Sequence, residues 1–138
     1  MLKFTIVTPT YNQAKYLPDT LESVLRQASA DQYAIEYFVF DACSTDGTVA
    51  ILNEYKEKFL AAGIDYHFYS EPDKGQSDAI NKGFKKATGD IITYINSDDT
   101  YTEHAIQAVN DFFSKQLSTL WAYGGWNIIT DSGRVFLC

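Results

Sequence analysis

The stretch "LKFTIVTPTYN", residues 2–12, is a β-rich run from Leu2 to Thr8, stopped by Pro9 and followed at once by polar residues. That marks a buried strand, and what comes after it decides the kind of sheet it enters. Leu17, Leu21, Val24 and Leu25 fall on one helical face. "IEYFVFD" (35–41) is a second strand, followed by the turn and capping residues Ser44, Asp46 and Gly47 and a helix carrying Leu52, Tyr55 and Phe59 inward. "DYHFYS" (65–70) is a third strand, and a helix from about Ser77 to Thr88 is expected to close at Gly89. "IITYIN" (91–96) is a fourth strand, and Ile106, Val109 and Phe113 mark one more helix. "LWAYGGWNIITDSGRVFLC" (120–138) reads as two strands joined at Asp131-Ser132-Gly133. Strands alternating with helices of this length imply βαβ units, hence an α/β fold with a mainly parallel sheet and helices on both faces.

The chain has 138 residues, enough for one domain with a real core and too few for two comfortable ones. Eleven basic against eighteen acidic residues leave a net charge of −7, which argues against nucleic acid as a partner. A small anionic ligand is still compatible if a metal or local lysines offset the charge. Cys43 and Cys138 match no zinc or redox spacing and read as free thiols of a reducing compartment. No apolar stretch approaches the roughly 20 residues that span a bilayer. A cytoplasmic chain is expected, with a peripheral place at the inner face of the membrane left open.

In open α/β sheets ligands bind beyond the carboxyl ends of the strands, near the point where strand order reverses. Four polar clusters lie at such ends: "TPTYN", "DACSTDGT", "SEPDKGQSD" and "NSDD". A Rossmann-like order makes the first and fourth strands neighbours, so that Asp98 and Asp99 face Thr8 to Asn12 across a crevice. Alone, the acidic pair reads as a cap for the following helix. With four clusters on one rim it suits Mg²⁺ or Mn²⁺, which take one or two carboxylates and complete their shell with water and phosphate. Asp41 ends the apolar "FVF", where a carboxylate can accept the imide N–H of uracil or thymine, and Tyr11 offers a ring for stacking. Asp41 reads equally as a turn former and Tyr11 as a core aromatic. Lys74, before Gly75, can reach a phosphate, whereas Lys82 reads as a solvated helix charge. There is neither a Walker A loop nor a GxGxxG motif.

Together, "TIVTPTYNQAKYLPDTLESVLRQ", "DACSTDGT", "EPDKGQSDAINKGFKKATGD" and "YINSDDTY" resemble the family 2 glycosyltransferases, in order and with the usual separations from Leu2 to about Tyr101. The resemblance implies a GT-A fold and transfer of a sugar from a nucleotide-sugar donor, expected to be a UDP-sugar, usually with inversion. It implies a saccharide or lipid-linked acceptor and a role in surface polysaccharide biosynthesis. Thr8, Pro9, Tyr11, Asp41, Lys74 and Asp98 are the expected donor-binding residues, and Asp98 and Asp99 the expected metal ligands. Asn96 stands where such proteins often carry the first acid of a DxD motif. The general base of such enzymes lies well beyond the acidic motif, so residues 1–138 are expected to be a single nucleotide-sugar-binding domain truncated at its C-terminus. Two alternatives stand beside the transferase: a non-catalytic binding module, and a metal-dependent phosphatase or nucleotidyltransferase. Self-association into a homo-oligomer is also left open.

Overall fold

In a computed structural model of the chain, residues 1–116, 118–130 and 135–137 are described. The elements run β1 (Leu2–Thr10), α1 (Leu17–Leu25), β2 (Tyr33–Asp41), α2 (Thr48–Glu54), α3 (Lys56–Ala61), β3 (Asp65–Ser70), α4 (Gln76–Lys86), β4 (Ile91–Tyr94), α5 (Ala105–Lys115), β5 (Asn127–Ile129) and β6 (Val135–Leu137). The first four strands form one parallel sheet in the order β3-β2-β1-β4. Strand order therefore reverses between β1 and β4, as the α/β expectation requires. β5 and β6 pair antiparallel, Ile128 opposite Phe136, and the turn expected at Asp131-Ser132-Gly133 lies outside the described residues, as does Cys138.

Alternation along the central strands divides the core. Phe4 and Ile6 of β1, with Ile35, Tyr37 and Val39 of β2, face Leu17, Leu21 and Val24 of α1, Leu52 of α2, Phe59 of α3 and Ile106 of α5. Val7, Phe38 and Phe40 face the opposite way, onto Ala79 of α4. Both faces carry helices, but among the described residues α4 is the helix on the second, and Ile92 and Tyr94 on that side of β4 stay about half exposed.

Pro9 does not end the first strand. Val7 accepts the Ile95 N–H at 2.9 Å, so residue 7, and residue 9 two further on, turn their backbone polar groups toward β4. The β1–β4 ladder stops at Val7 opposite Tyr94. Beyond that point the β4 side of β1 needs no donor, and proline loses nothing by lacking one. The other side of β1 continues to pair with β2 as far as Thr10 opposite Asp41. β1 thus outruns β4, and a cleft opens where the two part.

Gly89 does not close α4. The helix ends at Lys86, and Gly89 lies where a Cβ would sit 2.7 Å from the Thr5 nitrogen and 2.8 Å from the Lys3 carbonyl oxygen. It is glycine because the turn into β4 runs against the backbone of β1. Lys82 is likewise not a free helix charge: its ammonium donates to the Pro72 carbonyl and pairs with Glu71, both at 2.9 Å, pinning the β3–α4 loop. Among the described residues, no helix is long and apolar enough to cross a membrane.

Candidate functional site

The loops after β1 and β2 are stitched into one wall. Asn12 takes a left-handed conformation (φ 51°), which asparagine tolerates better than most residues. Its N–H donates to Ser44 Oγ at 2.8 Å and its Oδ1 accepts the Thr45 N–H at 2.9 Å. The Ala14 N–H donates to Asp46, and the Gln13 N–H to Thr48. Hydrogen bonds from the Thr48 hydroxyl and then the Ala14 N–H hold the Asp46 carboxyl below the ordinary carboxylate range.

Asp41 is buried behind this wall. Its carboxylate accepts the Ser70 hydroxyl at 2.5 Å, the Ser44 N–H at 3.1 Å and the Ser44 hydroxyl. The chain Asn12 N–H to Ser44 Oγ to Asp41 ties the Tyr11 loop to the ends of β2 and β3. Asp41 is thus occupied inside the protein, where the sequence suggested a group presented to a ligand.

On the far side, the β3–α4 loop reaches α4 through Gly75, whose backbone (φ 109°, ψ 175°) lies in a region that essentially only glycine enters. The first residue of α4, Gln76, donates its side-chain amide to Asn96 Oδ1 at 2.5 Å. Asn96 donates in turn to the Asp99 carboxylate at 3.2 Å. The residue standing in place of an acid is a hydrogen-bonded link between α4 and the acidic pair.

Between these walls lies a cavity of about 650 Å³, bordered by Pro9, Tyr11, Gln13, Asp73, Gln76 and Asp98, among others. That volume suits a ligand of nucleotide size. Tyr11 is exposed here and free to stack, unlike the core aromatic it could have been. Asp98 is exposed on the cavity and has no hydrogen-bond partner among the described residues. The structure thus brings Pro9, Tyr11 and Asp98 together.

The other expected residues stand elsewhere. Thr8 is fully buried, its hydroxyl accepting that of Tyr37 at 2.9 Å, so it does not reach the cavity. Lys74 is exposed between two cavity residues, Asp73 and Gly75, without lining the cavity itself. Asp99 borders the neighbouring open hollow formed with Tyr16, Asp19 and residues 119–127, 129 and 130, and Asp98 borders both. Gln13 and Gln76 were not expected. Their only sequence signal is position, Gln13 directly after the cluster "TPTYN" and Gln76 within "SEPDKGQSD".

For a divalent cation, the donors present are the Asp98 and Asp99 carboxylates, both hard oxygen ligands on the exposed rim. Among the described residues no three Asp, Glu, His or Cys side chains gather into a ready-made cage. That fits a Mg²⁺- or Mn²⁺-type ion that takes one or two carboxylates and leaves the rest of its shell to water and ligand phosphate.

The family model described as "Glycosyl transferase family 2" matches residues 5–123. TuaG of Bacillus subtilis, named for teichuronic acid biosynthesis as a glycosyltransferase, is 30% identical over 132 residues, covering 94% of this chain and 48% of that protein. The poly(ribitol-phosphate) β-N-acetylglucosaminyltransferase TarS of Staphylococcus aureus is 28% identical over 118 residues, 86% of this chain and 20% of TarS. The crystal structure of TarS with UDP-GlcNAc superimposes with a TM-score of 0.70 at 26% identity, over 83% of this chain and 32% of that one. The mannosyltransferase PcManGT from Pyrobaculum calidifontis, solved with GDP-Man and Mn²⁺, shares the fold at a TM-score of 0.66 and 24% identity, over 85% of this chain and 32% of its own. The chain spans about half the length of TuaG and a fifth of TarS. Its sheet is that of the GT-A glycosyltransferases, and the chain belongs to glycosyl transferase family 2.

Proposed function

We propose that this chain is the donor-binding part of a glycosyltransferase that moves a sugar from a UDP-sugar to a saccharide or lipid-linked acceptor, with inversion, in the making of a surface polysaccharide. The carrying observation is the cavity at the β1–β4 divergence, a space of nucleotide size bordered by Tyr11 and by Asp98, which has no hydrogen-bond partner among the described residues. TarS, similar over most of this chain, was solved with a UDP-sugar. Tyr11 stacks the base, Gln13 and Gln76 supply hydrogen bonds, and Asp98 with Asp99 holds Mg²⁺ or Mn²⁺ against the diphosphate. Lys74, exposed on the bordering loop without lining the cavity, would have to extend to meet a phosphate. Held by the Asp98 and Asp99 carboxylates, such an ion would supply positive charge to offset that of the diphosphate. Asp98 borders both the cavity and the open hollow beside it, which suits a bond broken between donor and acceptor sides.

A second reading, a module that binds without transfer, draws on one observation. Among the described residues the carboxylates bordering the cavity are Asp73 and Asp98, and none later in sequence than Asp99 borders it. Exposed Leu120, Trp121, Tyr123 and Trp126 support the further expectation that the chain associates with itself.

Calorimetric titration of UDP with and without Mn²⁺ tests the donor site. Mn²⁺ should tighten UDP binding, and Asp98→Ala should abolish most of that gain, roughly tenfold or more, while leaving the fold intact. Undiminished Mn²⁺-dependent binding by Asp98→Ala would take Asp98 out of metal binding, and helix capping is no substitute role, since α5 begins only at Ala105 after His104. Release of inorganic phosphate or pyrophosphate from UDP-sugars would instead favour phosphatase or nucleotidyltransferase chemistry. Asp41→Asn separates the two roles of that residue. Acting through Ser44 and Ser70, it should weaken UDP and CDP by the same factor, whereas a loss confined to UDP would restore direct contact with the base imide.

A further inference from the structure

Helix α1 and the turn that follows it carry a polar stripe where a buried helix ordinarily carries an apolar one. Thr20, Ser23 and Gln27 follow one another at spacings of three and four, and all three are buried. Buried polar groups are costly unless they are hydrogen-bonded. Here the bonds go to the backbone that leaves the acidic pair. The Thr20 hydroxyl donates to the Asp99 carbonyl at 2.8 Å. The Tyr101 N–H donates to Ser23 Oγ at 3.1 Å. Gln27 donates to the Thr102 carbonyl at 3.0 Å and accepts the Ile106 N–H at 3.1 Å. Residues 20, 23 and 27 thus meet 99, 101 and 102 in order, so this segment runs along α1 in the direction of the helix.

Asp99 is also fixed from the other side. Its N–H donates to the Asn96 carbonyl at 3.1 Å, its carboxylate accepts the Asn96 amide, and Asn96 is held by Gln76. Of these three side chains, Thr20 touches the acidic pair itself. The other two set the course of the chain beyond it. Small octahedral cations tolerate little error in ligand position, so a backbone anchor one bond from a ligand controls affinity without touching the metal.

We infer that Thr20 is a positioning residue for the Asp98–Asp99 pair, with Ser23 and Gln27 extending the same clamp. This rests on the donor-site reading above. The test compares the full chain with Thr20→Val, Thr20→Ser, Ser23→Ala and Val24→Ala. Thr20→Val keeps shape and loses the hydroxyl, Thr20→Ser keeps the hydroxyl, and Val24→Ala lowers core stability without touching the clamp. Each is titrated with UDP in the presence and absence of Mn²⁺, and its thermal midpoint is measured. The factor by which Mn²⁺ tightens UDP should fall about tenfold in Thr20→Val, while affinity for UDP alone holds. It should be retained in Thr20→Ser and in Val24→Ala, whatever the latter's midpoint, and should fall by less in Ser23→Ala. Thr20→Val and Ser23→Ala variants that lose thermal stability yet keep the parent's Mn²⁺ factor would overturn the inference and make the stripe purely structural. If the parent itself shows no Mn²⁺ factor, the donor-site reading falls and this inference with it, an outcome the parent titration alone identifies.

Discussion

Replacing Gly89 with alanine is expected to lower stability by about 3 kcal/mol, a drop of roughly 10 °C in thermal midpoint for a domain of this size. The added Cβ would meet the Thr5 nitrogen at 2.7 Å and the Lys3 carbonyl oxygen at 2.8 Å, closer than real Cβ contacts allow. Both are strand backbone atoms, and Phe4 between them begins the pairing with Ile91 of β4. Relief therefore requires β4 to move away from β1 at the start of their ladder. Gly83→Ala supplies the contrast. Its Cβ would lie 2.4 Å and 2.6 Å from the two methyl carbons of Val7, a side chain that can itself be shortened. Val7→Ala should recover part of the Gly83→Ala loss, whereas Thr5→Ala should recover little of the Gly89→Ala loss, because the backbone contacts remain. Urea denaturation of the four single and two double variants checks this. An unchanged midpoint for Gly89→Ala, or full rescue by Thr5→Ala, would contradict the close-approach account.

The second large effect is expected at Glu36, on the end of the sheet away from the cavity. This buried carboxylate accepts the Lys3 ammonium at 2.8 Å, the Thr5 hydroxyl at 2.7 Å, and the Thr88 hydroxyl and N–H at 2.6 and 2.9 Å. Burial disfavours its charge, but the hydrogen bonds from Lys3, Thr88 and Thr5 outweigh that and hold its pKa at about 2 against an ordinary 4.5. The folded value is depressed, so the associated stability is fully present above pH 4.5 and lost as pH falls from there toward 2. Its size is on the order of 3 kcal/mol. Glu36→Gln should remove much of the acid dependence of unfolding in that window. At neutral pH Glu36→Leu should cost about 3–5 kcal/mol, because the Thr88 N–H and the Lys3 ammonium lose their acceptor. Denaturant unfolding of parent and variants from pH 7 to pH 2 checks both, and identical pH profiles for parent and Glu36→Gln would refute the assignment.

Much of the scaffold was legible before any coordinates. The strand "DYHFYS" has the expected bounds, and Leu17, Leu21 and Val24 pack as their spacing implies. The order that places β1 beside β4 is the one a Rossmann-like arrangement implies. The misreadings share one cause. Pro9 and Gly89 were read by their local habits, as a strand breaker and a helix stop, but each answers to a neighbouring strand far away in sequence. Asp41 and Thr8 lie in polar clusters beside cavity residues, yet both side chains are spent on partners inside the protein. Sequence proximity to a site does not say which way a side chain turns, and in a strand alternate residues turn opposite ways.

Although the one helix expected through Leu52, Tyr55 and Phe59 is two, α2 and α3, meeting at Tyr55, what the sequence by itself determined is most of the elements, the parallel sheet and the rim on which polar residues gather. Each depends on local periodicity and on where apolar runs give way to charge, and both are written in neighbouring residues. Tertiary structure alone decided which members of that rim are presented and which are consumed. Thr20, Ser23 and Gln27 look in sequence like ordinary polar positions on a helix, and Asn96 like a lost acid. Only when β4 lies beside β1 do the residues after Asp99 pass along α1, so that buried hydroxyls and amides find backbone partners some 75 to 79 residues away. A buried hydrogen bond depends on ångström-scale placement of both partners, and that placement exists only once the sheet and its helices have packed.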